Sequence, residues 1–105
     1  MEDIRKKITV LDDHFRSTDS NQQKSEYQRL LERLTKLNEE VGELCEATLC
    51  TFDSNQRMKD RDTDFEKELA DVFICTMMLA QSCEKDFTET VHEVLNKNLR
   101  RHNLI

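Results

Sequence analysis

Residues 66–80 read EKELADVFICTMMLA, and the class of fold turns on this stretch. At about 100° per residue, its apolar side chains cover nearly the whole circumference of a helix from Leu69 onward. Asp71 is the one charged side chain between Leu69 and Ala80. Glu68 and Asp71 lie one turn apart on a strip that continues through Cys75 and Met78. A carboxylate on such a helix is costly unless it is paired or holds a metal ion. No Lys or Arg occurs between Lys67 and Lys85, so the helix offers Asp71 no cation at i+3 or i+4. The reading therefore expects a helix buried on most sides, with a neutralising partner from outside it.

The stretch before it supplies that partner's shape. EEVGELCEA, residues 39–47, sits inside a long helix expected from about 24 to 52. There Leu30, Leu34, Leu37, Val41, Leu44 and Thr48 alternate by four and three, and Leu31, Cys45, Leu49 and Phe52 widen the seam. Glu40 and Glu43 fall one turn apart beside it. Glu40-Val-Gly-Glu43 and Glu68-Leu-Ala-Asp71 thus repeat an E-x-x-[ED] pattern on consecutive helices. Antiparallel packing would gather four carboxylates in one small volume, where they repel unless a cation joins them. Oxygen donors without His or Cys select Mg²⁺ or Mn²⁺ over zinc. Gly42 costs about 1 kcal/mol against alanine inside a helix, so a close neighbour is expected there, either a helix or a ligand. The plain alternative is a helical hairpin with solvated glutamates, and it suits Glu39 and Glu46 on the far side.

Around these two helices the pattern stays helical. Ile4, Ile8, Leu11 and Phe15 mark a short helix over 2–15, and STDSNQQ, 17–23, reads as a connector. FDSNQRMKDRD breaks the periodicity as a loop. Asp62 or Thr63, the latter with Glu66 at capping-box spacing, would start the third helix over about 63–84. Asp86 and Glu89 repeat that spacing before a fourth helix, VHEVLNKNLRRH. One glycine, no proline and no tryptophan suit an all-α chain. With 105 residues and no linker or repeat, a single domain spanning 1–105 is expected.

Charge and cysteines narrow the partners. A net charge of −6 argues against non-specific nucleic-acid or membrane binding. Cys45, Cys50, Cys75 and Cys83 show no metal-finger spacing and read as reduced core residues. The N-terminal residues carry no apolar signal region, which points to the cytoplasm. His14, His92 and His102 are scattered and read as surface residues, against a histidine-based nucleophilic mechanism.

The two quoted stretches together resemble the MazG-like nucleotide pyrophosphohydrolases of the all-α NTP pyrophosphatase superfamily. The shared signature is E-x-x-E, a variable gap (here Leu44 to Lys67), then E-x-x-D, and the likeness spans about residues 24–102. It implies a four-helix fold with two long central antiparallel helices in an oligomeric bundle, and cleavage of a nucleoside triphosphate (NTP or dNTP) to monophosphate and pyrophosphate. Carried over, Glu40, Glu43, Glu68 and Asp71 would be the catalytic Mg²⁺ ligands, Mn²⁺ substituting, and Lys97 and Arg101 would hold phosphates. Lys36, one turn before Glu40, reads as a snorkelling surface lysine within reach of the site.

The chain departs from dCTP-preferring members, which carry a Trp-containing first helix and often a Tyr where Cys75 stands; base preference stays open. His102 replaces the aromatic that many members have after the final Arg. The Tyr-His pair usual in phosphoribosyl-ATP hydrolases is absent from DVFICTMM. A non-catalytic helical adaptor dimerising through the seam is the alternative from another class. One hairpin and two short helices cannot cover the third helix, so a homodimer or homotetramer is expected, with Phe73, Met77 and Met78 in helix or subunit contacts.

Overall fold

The computed structural model describes residues 1–18, 23–52 and 64–105, and the described residues are all-helical. Helices α1 (Glu2–Arg16), α2 (Glu26–Phe52), α3 (Phe65–Ala80) and α4 (Phe87–Arg101) follow the expected order. The loop expected over 53–62 and the caps proposed at Asp62 and Thr63 lie outside the described residues.

Several helix ends have a chemical cause. Ser25 and Gln28 form a reciprocal capping box at the start of α2: Gln28 N–H donates to Ser25 Oγ at 3.1 Å, and Ser25 N–H donates to Gln28 Oε1 at 2.9 Å. Helix α3 starts later than expected, because Asp64 is its cap and accepts from the Lys67 N–H at 3.2 Å. It also stops earlier, at Ala80 instead of residue 84. The N–H groups of Gln81, Ser82 and Cys83 turn to carbonyls three residues back, tightening the chain as the apolar run gives out. Asp86 caps α4 as expected, but through the Thr88 N–H (2.9 Å) and hydroxyl (2.7 Å), so α4 begins at Phe87 rather than at Val91. At its far end Asn103 adopts φ 58°, while Leu104 N–H donates to Leu99 and Asn103 N–H to Arg100, a Schellman ending with asparagine in the left-handed position.

Helices α2 and α3 form the main packed pair, and α1 lies against α3. The pair is antiparallel. Arg33 of α2 donates to the Met78 carbonyl of α3 at 3.1 Å, while at the other end Phe52 meets Phe65 edge-on at 5.2 Å. Asp12 of α1 is buried between Arg33 and Arg16, the latter at 3.2 Å, and Arg16 reaches on to Glu26 at 2.7 Å. Three helices are thereby tied around one carboxylate.

The core within one chain is thin. Among the described residues, Ile8, Ala47 and Met77 are its buried apolar side chains. Contrary to the reading of α3 as buried on most sides, Leu69 and Phe73 stand exposed, as do Leu30, Leu34 and Val41 of the α2 seam. Helix α4 has no buried residue and makes at most marginal contact with the others. The four cysteines are free thiols, as expected, but Cys45 and Cys83 are exposed and none is core. The reason is common to all these differences: the apolar faces are present, and the described residues do not cover them.

Candidate metal centre

The antiparallel register sets Glu40 of α2 opposite Glu68 and Asp71 of α3. One carboxylate oxygen from each of the three lies within 4.8 Å of the others. Oxygens on opposite sides of a cation with bonds of about 2.0–2.6 Å stand about 4–5 Å apart, so the three can share an ion with little movement. Glu40 is buried, at 7% exposure, and Glu68 and Asp71 are half-buried.

Glu40 Oε2 and Glu68 Oε2 are buried with no hydrogen-bond partner. A buried acceptor left in this state costs about 1–3 kcal/mol, more when charged. Two of them on facing helices, aimed into one cluster, fit a cation. The donor set is hard. Burial first, and then the neighbouring Glu40 carboxylate, push the Cys75 thiol up and keep it from competing as a soft thiolate ligand.

Glu43 stands at the rim, exposed and outside the three-oxygen group. Its carboxyl is held above the usual range, chiefly by the charge of Glu40, then by partial burial and by Glu68. Two lysines temper the cluster from the same helices. Lys36 Nζ lies 3.2 Å from Glu40 Oε1, and Lys67 Nζ lies 3.4 Å from Asp71 Oδ2. Asp71 has no cation at i+3 or i+4, as read, but the expectation that its partner comes from outside α3 is corrected: Lys67 serves from i−4. Lys36, read as a snorkelling surface lysine within reach of the site, is exposed and does reach it. Both ammonium groups are raised, Lys36 mainly by its hydrogen bond to Glu40 and Lys67 mainly by the charge of Asp71.

Other expectations fall differently. Lys97 and Arg101 are exposed on α4, form no ion pair among the described residues, and are not brought to the carboxylates. Gly42 has no close neighbour: a Cβ there would meet nothing within 4 Å. His14, His92 and His102 are exposed, as expected. A cleft of about 210 Å³ between α1 and α2, lined by Phe15, Arg16, Arg33 and Met78, adjoins the cluster through Lys36. The sequence reading did not foresee this cleft or the burial of Asp12; the signal was Asp12's place one turn beyond Ile8, on the apolar stripe of α1.

No helix among the described residues is long and apolar enough to cross a membrane. No curated protein and no solved structure matches the chain. The family model for the MazG nucleotide pyrophosphohydrolase domain matches residues 28–105, a stretch that holds both acidic pairs and α4 and leaves α1 outside. With both E-x-x-[ED] pairs and three-quarters of its length inside that match, the chain belongs to the MazG nucleotide pyrophosphohydrolase family.

Proposed function

We propose that the protein is an Mg²⁺-dependent hydrolase that cleaves a nucleoside or deoxynucleoside triphosphate to monophosphate and pyrophosphate. The observation that carries this is the pair of partnerless buried oxygens, Glu40 Oε2 and Glu68 Oε2, inside a three-carboxylate cluster. Glu40, Glu68 and Asp71 would hold the ion, Mn²⁺ being able to replace Mg²⁺. Bound there, the ion would neutralise the acids, draw charge from the phosphate and make water a better nucleophile. Lys36 and Lys67, freed from Glu40 and Asp71, turn to the phosphate oxygens. Glu43, outside the ligand group at the rim, accepts the proton of the attacking water. Water oxygen bonds to the α phosphorus, the bond from that phosphorus to the bridging oxygen breaks, and pyrophosphate leaves with the bridging oxygen. The cleft beside Lys36, which Phe15 also lines, would take the nucleoside end.

The net charge of −6 favours a small nucleotide partner over nucleic acid or membrane, and the four free thiols suit the reducing cytoplasm. The test is a panel of common NTPs and dNTPs assayed with Mg²⁺ for pyrophosphate and for orthophosphate. Pyrophosphate with monophosphate is the expected pair. Orthophosphate with diphosphate would overturn the assignment, and no turnover on any member would favour the adaptor.

A further inference from the structure

We infer that the cleft between α1 and α2 selects 6-oxopurine nucleotides, those of guanine and hypoxanthine, and that Arg16 is the residue that reads the base. The inference rests on the proposed reaction for its substrate and on the polar bonds of the cleft for its choice of base.

The cleft takes its charge from four cations, Arg16, Arg29, Arg33 and Lys36, and from two carboxylates, Asp12 and Glu32. In a chain of net charge −6 that surplus of cations is local. Arg29, Arg33, Lys36 and Glu40 follow one strip of α2, so the α2 wall of the cleft leads toward the carboxylate cluster. Lys36 stands at the join, 3.2 Å from Glu40 Oε1. A triphosphate held at the cluster would therefore have its base among guanidinium groups. Phe15 and Met78 complete the lining with apolar surface.

The acceptors of the cleft are already taken. Asp12 Oδ2 accepts from Arg16 Nε at 3.2 Å, and Asp12 Oδ1 accepts from Arg33. Glu32 Oε2 accepts from Lys24 Nζ at 2.8 Å. Donors remain. A guanidinium carries five N–H groups. Among the described residues Arg16 gives one to Asp12 and one, from Nη1 at 2.7 Å, to Glu26. Those carboxylates, one on its own helix and one on α2, hold the guanidinium in place and leave it three N–H groups. Two adjacent acceptors on a base suit such a fork, and O6 with N7 of a 6-oxopurine is that pair. Adenine sets an amino group beside N7 and would turn donor against donor. Cytosine likewise presents its 4-amino group, and thymine offers O4 alone. The 2-amino group of guanine meets carboxylates already paired with cations, so guanine and hypoxanthine rank alike. Asp12, Phe15 and Arg16 all come from α1, which lies outside the family match.

A panel on the parent protein tests the base directly. With Mg²⁺, dGTP and dITP should share the highest kcat/KM, and dATP should fall below them by about ten-fold or more, the discrimination that one fork-matched contact supplies. 7-Deaza-dGTP, which lacks the N7 acceptor, should also fall below dGTP. Equal rates for dGTP and dATP, or a dITP rate as low as that of dATP, overturn the inference and leave the pyrophosphate reaction standing. Arg16→Gln should reverse the order of dGTP and dATP, because a glutamine amide pairs with N6 and N7 of adenine. If Arg16 only fastened α1 to α2, the variant would lower both rates and keep their ratio, and its role as reader would be overturned. Calorimetry in chelator examines the cleft without turnover: inosine should bind the parent more tightly than adenosine does, and Arg16→Gln should lose that preference. A parent that hydrolyses no triphosphate would defeat the proposed reaction, and the titration would then judge the cleft by itself. Equal affinity for the two nucleosides, or binding of neither, would overturn the inference there.

Discussion

Two carboxylates are buried among the described residues, and their surroundings are opposite. Asp12 is 4% exposed and Glu40 is 7% exposed. Asp12 takes a guanidinium on each side, from Arg16 and Arg33, and Arg33 also donates to the Met78 carbonyl, so α1, α2 and α3 are fastened together. Glu40 has one oxygen beside an exposed lysine and the other without a hydrogen-bond partner, with Glu68 and Asp71 crowding it. Burial alone thus does not mark a site. What separates the two is whether the protein itself satisfies the charge.

The comparison predicts that the two carboxylates fail differently. Asp71→Ala should lower pyrophosphate release by at least a thousand-fold, about 4 kcal/mol of transition-state stabilisation. Its melting temperature without metal should stay level or rise, since one of several crowded charges is gone. Retained turnover, or a markedly lower melting temperature in chelator, would break the contrast. Asp12→Asn should do the reverse. Leaving Arg33 without its charge partner costs about 3 kcal/mol, read by urea denaturation, while the acidic cluster keeps its metal response.

That metal response is the next largest effect. An ion at a hundred times its dissociation constant stabilises the fold by about 2.7 kcal/mol. Mg²⁺ or Mn²⁺ should therefore raise the melting temperature of the parent and of Asp12→Asn, and leave Glu40→Gln/Glu68→Gln unmoved. A shift that survives in the glutamine pair would place the ion elsewhere.

Titration separates the regions again, with opposite sign. Glu43 has a raised native pKa, so the native state binds more protons than the unfolded chain across that interval. In chelator, stability should increase as pH falls from neutrality through Glu43's raised value toward the ordinary glutamate range near about 4.3, and Glu43→Gln should remove the increase. Glu26, lowered by hydrogen bonds from Arg16 and Arg29, and Asp86, lowered by its bonds to Thr88, act the other way. What they contribute is present above their unfolded values and is lost as pH falls through their native ones. Thermal melts from pH 7 to 3 should show a rise and then a fall.

These differences also explain what the sequence could disclose. Helix order, the antiparallel pair and the meeting of Glu40 with Glu68 and Asp71 follow from local periodicity, because helical spacing and a hairpin are enough to bring those residues together. The burial of Asp12 is hard to read from sequence because Arg16 is a local partner on α1 but Arg33 is far along the chain on α2, and α1 lies outside the motif. The end of α3 was misplaced because the polar run QSCEKD can extend a helix or turn it, and the choice rests on three backbone hydrogen bonds. The burial expected for α3 and the α2 seam was misplaced for a different reason. A helical pattern shows that a face is apolar, but not which molecule covers it.

Lys36 gives the smallest and most discriminating test. It pairs with Glu40 Oε1 yet is more than half exposed, so solvent screens the pair and it adds little to the fold. Lys36→Met should accordingly leave urea stability in chelator almost unchanged, whereas Arg33→Met, which strips buried Asp12, should not. Removing the lysine also removes a cation that competes for Glu40. The Mg²⁺ concentration for half-maximal thermal shift should then fall modestly. If Lys36 afterwards turns to phosphate, the triphosphate KM should rise although the metal binds more tightly. A KM that falls together with the metal midpoint would show that Lys36 merely occupies the site. A metal midpoint that rises would show that Lys36 organises the carboxylates, and Glu40 would then resemble Asp12 more closely than its partnerless oxygen suggests.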